Sequence, residues 1–237
     1  MYIGIYEFAS VVVRIESIYD YFHNMAKNYK TNKEAKYNIC ICEDDIKAEI
    51  NNEEDKKFPM YYLETLAIYR KFLDIAINEG VFLFHSSSFM IDENAYIVTA
   101  PSGTGKSTHV RYLSEVYKER FSYINDDKPL IKLDNGDFYV YGSPWNGKHK
   151  LDNNVNKKLK AIFFLKRSEK DDVKKMNASN AFNVIYSQVH KPKGIDALKL
   201  IIDYITKLAS IVSCYELFAT NSVSSCEASG KVIDDNY

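Results

Sequence analysis

Hydrophobic and polar positions alternate in YIGIYEF and SVVVRIE, which predicts two strands near the start of the chain. IYDYFHNMAKNY then has helical spacing, and YNICICED alternates again. These segments predict a small α+β lobe over residues 1–58. Its last part, residues 43–58, is almost wholly polar and is compatible with a surface loop or with a solvated helix. We therefore place a domain boundary there, with residues 59–237 as the second domain.

The second domain begins with the clearest helical pattern of the chain, which runs from Pro59 to Gly80. Two apolar runs, VFLFHSSSFM and AYIVTA, are followed by PSGTGKST and the amphipathic THVRYLSEVYKE, which predicts strands, a loop and a helix in that order. FSYIN, PLIKL, FYVYG and the fully apolar LKAIFFL predict further strands of a large mixed sheet. The rest is predicted to be mainly helical, with YELFAT before a final short helix.

Composition limits the classes of function. A hydrophobic fraction of 46% with 27% charged residues is typical of a soluble globular protein. Thirty-one basic against thirty-two acidic residues provide no basic field, so nucleic acid is not an expected partner. No run approaches the roughly 20 apolar residues of a membrane span, and the first residues include Glu7, Arg14 and Glu16. We expect a cytoplasmic protein without a membrane partner.

Cysteines are a possible source of metal ligands. Cys40 and Cys42 alternate within a predicted strand and have no second pair nearby, whereas a zinc site needs two spaced pairs of Cys or His. We expect buried strand thiols.

The segment from Ala100 to Thr108 carries the strongest chemical signal. A phosphate-binding loop needs a strand, a glycine-rich turn whose N–H groups surround the phosphates, a helix N-terminus and a lysine. Gly103 and Gly105 permit the turn, Lys106 would reach the outer phosphates, and Ser107 would offer its hydroxyl to Mg²⁺. ATP and Mg²⁺ are therefore the expected ligands. The predicted nucleotide-binding residues are Ser102, Gly103, Thr104, Gly105, Lys106, Ser107 and Thr108.

FSYINDDKPLI ends a predicted strand in Asn125, Asp126 and Asp127. The carboxylates would face the phosphate loop if the two strands are neighbours. One can then hold the metal, and the other can take a proton from an attacking hydroxyl. Without the upstream loop, such a pair is more often a turn signal.

His85, in FLFHSSSF, lies on the run before the phosphate-loop strand, so a hairpin would place it beside the acidic pair. It could orient an aspartate, or it could be a hydrogen-bonded histidine without function. The serines that follow it are interpreted as turn-formers.

Two further segments contain candidate substrate contacts. YGSPWNGKH is suited to a rigid loop that packs an aromatic residue and presents Lys148, either as a clamp for a substrate or as a simple turn. LKRSEKDDVKK is interpreted mostly as a solvated charge run, although Arg167 directly follows a core strand and could point into the site.

Together, FHSSSF, APSGTGKST and NDDKPLI resemble the HPr kinase/phosphorylase-like branch of the phosphoenolpyruvate carboxykinase-type P-loop fold. The resemblance continues through GSPWNGK, NNVNKKLKAIFFLKR, QVHKP and YELFATNSVSSCEA, and it covers about residues 60–234. It implies an α/β fold in which a P-loop nucleotide-binding core with a mixed sheet follows the small N-terminal lobe. It also implies that the protein can form homo-oligomers.

The activity that the resemblance implies is ATP-dependent phosphorylation of a hydroxyl. Lys106 and Ser107 would lie at the nucleotide and the metal, with Asp126 as base, Asp127 as metal partner and His85 supporting the base. The roles of the two aspartates, base and metal partner, could be reversed. Lys148, Asn154 and Arg167 match positions of substrate or phosphate contacts.

The chain departs from the family pattern at several positions. Ala100 replaces the usual first glycine of the loop, and Lys158 stands where a proline is usual. YGSPWNGK replaces the glycine-rich signature that follows the acidic pair in HPr kinases. The acceptor therefore stays open between a small molecule, a peptide and a carrier protein, and the donor between ATP and ADP or pyrophosphate. The alternatives are a nucleotide-dependent binding or regulatory module without phosphotransfer, and an inactive relative.

Overall fold

A computed structural model of the chain describes residues 1–52 and 58–235. The N-terminal part forms a three-stranded sheet of β1 (Tyr2–Phe8), β2 (Val11–Ser17) and β3 (Tyr37–Cys40). β2 lies in the centre, antiparallel to β1 and parallel to β3. The predicted helix after β2 is reduced to α1 (Tyr21–Met25) and a 3₁₀ turn, Lys27–Tyr29. Within the polar run, α2 (Glu43–Asn52) is a helix, and residues 53–57 lie outside the described part.

The large sheet contains the nine remaining strands found in the described part of the chain. In chain order they are β4 (Val81–Leu83), β5 (Ser87–Ile91), β6 (Asn94–Thr99), β7 (Phe121–Asn125), β8 (Leu130–Asp134), β9 (Asp137–Tyr141), β10 (Asn156–Arg167), β11 (Asp172–Lys175) and β12 (Ser213–Ala219). The strand order is β4-β8-β9-β10-β6-β5-β7, and β12 lies between β10 and β11. β10 is parallel to β6 and to β12, while the other pairs are antiparallel. The predicted mixed α/β fold is confirmed at this level.

Five further helices surround this sheet: α3 (Met60–Ala76), α4 (Lys106–Tyr117), α5 (Ala178–Gln188), α6 (Ile195–Ile211) and α7 (Cys226–Asp235). Alternate residues of a strand point to opposite faces. Ile97 of β6 therefore packs with α5 and α6, whereas its neighbours Tyr96 and Val98 pack with α4 and α7. The sheet is covered by helices on both faces. No described helix is both long enough and apolar enough to cross a membrane.

α3 and Trp145 connect the N-terminal sheet to the rest of the molecule. Phe8 and Phe22 belong to the same buried cluster as Leu63 and Phe72 of α3, and the indole of Trp145 joins that cluster. The domain boundary at residues 58 and 59 stays a prediction. α3, which follows the boundary, packs against the lobe that precedes it.

One local prediction is wrong: Cys40 and Cys42 are exposed, because Ile39 and Ile41 occupy the inward positions of the alternating segment. The charge run after Arg167 is mostly exposed, as predicted, and it contains β11, which pairs with β12 at the sheet edge. An edge strand with most of its side chains in solvent carries no apolar alternation, so its composition resembles that of a loop.

Candidate functional site

The glycine-rich loop joins β6 to α4. Gly103 and Gly105 have φ angles of +78° and +114°, a backbone region that other residues rarely adopt. A Cβ atom built on either glycine would have no neighbour within 4 Å, so the space beside the loop is open. α4 begins at Lys106, and the first N–H groups of a helix have no partner within the helix. The loop can therefore surround an anionic group with N–H donors.

The acidic pair reaches this loop by a different path from the one expected. β6 and β7 are not neighbours, because β5 lies between them and pairs with both. Since β5 is antiparallel to both strands, β6 and β7 run in the same direction and end at the same edge of the sheet. Asp126 and Asp127, which follow β7, consequently line one cavity with the loop.

This cavity has a volume of about 770 Å³, within the usual range for small-molecule sites. Of the predicted site residues, those that line it are His85, Ser102, Gly103, Thr104, Gly105, Lys106, Ser107, Thr108, Asp126, Asp127, Lys148 and Arg167. Asn154 is not among them. It lies on the return of the 142–155 segment toward the N-terminal lobe, where its side-chain amide donates to the Asn28 carbonyl at 2.8 Å.

His85 lies between Lys106 and Asp127. Its Nε2 accepts from Lys106 Nζ at 3.4 Å, and its Nδ1 lies 3.4 Å from Asp127 Oδ1. Burial, followed by the nearby Lys106 charge, lowers the pKa of His85. A neutral imidazole can donate from one nitrogen and accept at the other, which matches these two neighbours. Burial also lowers the pKa of Lys106.

The two aspartates have different environments. Asp126 is only 7% exposed, and its Oδ1 accepts the Gly147 N–H at 2.6 Å. Burial is the main cause that raises the pKa of Asp126, and the nearby Asp127 charge raises it too. The hydrogen bond from the Gly147 N–H acts in the opposite direction and lowers this pKa. Asp127 is more accessible and accepts from Lys128 Nζ at 2.6 Å. The buried carboxyl is suited to proton transfer, and the more open one to a cation.

A metal ion would need oxygen ligands from several sources. Ser107 is exposed in the first turn of α4, and Asp127 lines the same cavity. Within residues 1–52 and 58–235, no group of three or more His, Cys, Asp or Glu side chains could hold a metal ion. Mg²⁺ is often held by one or two protein oxygens together with substrate phosphates and water. Ser107 and Asp127 fit that donor set.

Asn125 organises the acidic turn, a role that the sequence analysis did not assign to it. Its Oδ1 accepts the N–H groups of Asp127 and Lys128 at 2.8 and 2.6 Å, and its Nδ2 donates to the Ser143 carbonyl at 2.9 Å. The side chain is fully buried. An asparagine that bonds to the backbone two residues later is a known turn-former, so this signal was present in the sequence.

Of the three serines after His85, Ser86 lies in a bend, whereas Ser87 and Ser88 were wrongly interpreted as turn-formers. Ser87 and Ser88 are buried residues of β5. Their hydroxyls donate to the carbonyls of Asp126 at 2.9 Å and Asn125 at 3.1 Å. Their polarity therefore serves to fix the end of β7, next to the cavity.

Arg167 and Lys148, two of the predicted substrate contacts, both line the cavity. The Arg167 guanidinium donates to the carbonyls of Gly103 at 2.6 Å and Thr104 at 3.0 Å, so it ties the end of β10 to the glycine-rich loop. Lys148 is exposed in the wall formed by the 142–155 segment. Further cavity residues that the sequence analysis missed include Tyr112, His149, Ser168, Thr220 and Asn221. They come from separate segments that share no motif.

Comparison with known proteins gives little additional information. No protein-family model matches the chain, and no curated protein matches it. Among solved structures, the chain is similar to the Hpr(Ser) kinase/phosphatase from Coxiella burnetii, with 8% identity and a TM-score of 0.37. The alignment covers 65% of this chain and 92% of that chain. The likeness is weak and concerns the fold alone.

Proposed function

We propose that this chain is an ATP- and Mg²⁺-dependent phosphotransferase of the HPr kinase-like type, which phosphorylates a hydroxyl of a small molecule, a peptide or a carrier protein. One observation carries the proposal. A single cavity is lined by the glycine-rich loop and Lys106 together with the buried Asp126, Asp127 and His85. Phosphoryl transfer needs positioning, charge neutralisation and one base, and these groups can supply all three.

The residues divide into two sets under this proposal. The loop N–H groups and Lys106 would bind the β and γ phosphates, and Ser107 and Asp127 would hold Mg²⁺, which would neutralise phosphate charge. Asp126 would accept the proton of the acceptor hydroxyl, because its raised pKa brings it closer to the working pH. His85 orients Asp127 and accepts from Lys106.

A nucleotide-dependent binding or regulatory module without phosphotransfer is the second candidate. The observation that favours it is the 2.6 Å bond from the Gly147 N–H to Asp126, which gives this carboxylate a structural task. A module needs the loop and Lys106 but no base.

Nucleotide binding is tested first, by thermal unfolding with ATP and with ATP plus Mg²⁺. A ligand at about 100 times its dissociation constant adds about 2.7 kcal/mol to the free energy of unfolding. We expect this stabilisation in the native chain and its loss in Lys106→Ala. Lys199→Ala is the matched control, because Lys199 is an exposed residue of α6 whose ammonium pairs with Asp196 and does not line the cavity. If neither the native chain nor the control responds to nucleotide, the proposal is wrong.

Phosphotransfer is tested separately with γ-labelled ATP and acceptor libraries, in the native chain and in Asp126→Asn. The kinase proposal predicts that this variant binds nucleotide but transfers no label. A variant that transfers label at the native rate would remove Asp126 from the mechanism. Native protein that binds nucleotide but labels no acceptor would favour the module.

A further inference from the structure

The segment between β9 and β10, residues 142–155, holds Asp126 in place, and we call it the 142–155 loop. Its Gly147 N–H donates to Asp126 Oδ1 at 2.6 Å, and its Leu151 carbonyl accepts the Asp126 N–H at 3.0 Å. A Cβ atom on Gly147 would lie 3.0 Å from Asp126 Oδ2, so the loop backbone is in direct contact with the carboxyl. The position of this loop therefore sets the position of Asp126.

The N-terminal lobe anchors the loop through Tyr29. The Tyr29 hydroxyl donates to Asp152 Oδ2 at 2.9 Å, and Asp152 Oδ1 accepts from the Asn146 side chain. Asn146 directly precedes Gly147. A continuous series of hydrogen bonds and one peptide bond thus joins Tyr29 to the Asp126 carboxyl.

Trp145 is a second anchor of the loop, and its partners come from the N-terminal lobe and from α3. Its side chain is 3% exposed, and its Nε1–H donates to the Thr65 carbonyl of α3 at 3.0 Å. Its ring lies 5.2 Å from that of Phe8 and 5.8 Å from that of Phe22, measured between centroids. Two residues before Gly147, the loop is therefore fixed in the hydrophobic core that the N-terminal lobe shares with α3.

We propose that Tyr29 and Trp145 are positioning residues, through which the N-terminal lobe sets the placement of the Asp126 carboxyl. This inference rests on the proposed function for its catalytic meaning. Removal of the lobe at residue 59 would take away Phe8 and Phe22, two of the ring partners of Trp145, and would leave Tyr69 and Phe72 of α3.

The test compares Tyr29→Phe with Tyr6→Phe in the full chain. Both tyrosines are buried in the N-terminal lobe, and both lose one hydroxyl bond. The bond of Tyr6 is to His23 Nδ1 at 2.6 Å, within the lobe. Two readouts do not depend on an acceptor: the amide exchange rate of Gly147, and the carbon-13 chemical shift of the Asp126 carboxyl at fixed pH, with Asp126→Asn for assignment.

In Tyr29→Phe, we expect Gly147 exchange to accelerate by up to about tenfold, the factor that corresponds to one hydrogen bond. The Asp126 carboxyl signal should shift, because the hydrogen bond that it accepts from the Gly147 N–H is weakened. ATP–Mg²⁺ stabilisation should not change, because Tyr29, Trp145 and Asp152 do not line the cavity. Tyr6→Phe should change none of these quantities.

The inference is overturned if Tyr29→Phe leaves both readouts at their native values, or if Tyr6→Phe changes them equally. If Tyr29→Phe does not fold, Asn146→Ala takes its place, because it interrupts the same series of bonds within the loop and outside the N-terminal core. It must change both readouts in the direction expected for Tyr29→Phe. Failure of the native chain to bind ATP would refute the proposed function, whereas the Gly147 and Asp126 readouts would still decide whether the lobe controls this carboxyl.

Discussion

Gly142→Ala should disturb the site from the place where the two ends of the 142–155 loop meet, which we call the neck of the loop. It changes no predicted ligand contact. A Cβ atom on Gly142 would lie 1.8 Å from the Asn153 carbonyl oxygen and 3.1 Å from that of Ile124. The two chain segments must separate by about 1.2 Å before the first contact reaches 3.0 Å, the shortest that Cβ atoms normally show.

The separation endangers two backbone bonds, from the Gly142 N–H to Val155 and from the Asn153 N–H to Ile124, each 3.1 Å long. At about 0.5–1.5 kcal/mol each, their loss would cost about 1–3 kcal/mol. In a chain of 237 residues this corresponds to a decrease of about 2–12 °C in Tm. Leu151, which accepts the Asp126 N–H, lies two residues before Asn153. A displacement of about 1 Å near a reacting group can reduce the rate about 100-fold.

The assay combines calorimetry, ATP–Mg²⁺ stabilisation and label transfer. Gly142→Ala should lower Tm and transfer but retain nucleotide stabilisation, because the glycine-rich loop is carried by β6 and α4. Ile205→Val is the control, because it removes a buried methyl group of α6 at a cost of about 0.5–1.5 kcal/mol, away from the cavity. A variant with native Tm and native transfer would refute the described packing of the neck.

Three further predictions follow from individual side chains. Asp126→Asn should raise Tm at pH 7. The pKa of Asp126 is raised in the folded state, so the stability that its protonated form contributes is lost as the pH rises from 3.8 through the folded-state pKa. A lower Tm of the variant at pH 7 would contradict this explanation. His109 is 3% exposed and is hydrogen-bonded to Ser225 and Ser229, and burial lowers its pKa to about 4. The free energy of unfolding of the native chain should therefore fall by on the order of 3 kcal/mol between pH 6.5 and pH 4, as the unfolded state takes up a proton. Urea titrations at pH 7 and pH 5 should show a smaller loss in His109→Gln, and equal losses would rule out His109 as the cause. Arg167→Ala should weaken nucleotide binding about three- to tenfold in calorimetric titration, because the exposed guanidinium no longer restrains the carbonyls of Gly103 and Thr104. Unchanged affinity would show that the glycine-rich loop is rigid without this side chain.

Local patterns predicted most of the helices and strands because each carries its own signal. The segment after Pro59 has helical apolar spacing, and the strand, glycine-rich turn and helix around Lys106 follow one another in sequence. The loop, the acidic pair and His85 were therefore found without knowledge of strand order. The structure brings them to one cavity even though β6 and β7 are not neighbours.

Features that depend on distant partners could not be predicted in the same way. Ser87 and Ser88 favour turns by composition, but their hydroxyls find carbonyl partners at the end of β7, which compensates the cost of burying them in a strand. Asn154 has no local signal for its contact with Asn28, which lies 126 positions earlier. The bond from Tyr29 to Asp152 spans a similar distance along the chain, so only the folded chain reveals that the N-terminal lobe supports the cavity.

The two halves of the cavity are built by different parts of the chain, and this separation has a consequence for variants. The glycine-rich loop depends on β6, α4 and Arg167, while Asp126 depends on β7, the 142–155 loop and Tyr29. Substitutions of groups that share no partner change the free energy of unfolding nearly additively, whereas substitutions within one hydrogen-bond network do not. Arg167→Ala and Tyr29→Phe should therefore combine additively in their effects on the free energy of unfolding. Tyr29→Phe and Asn146→Ala should be strongly non-additive, because the second substitution interrupts a series of bonds that the first has already broken.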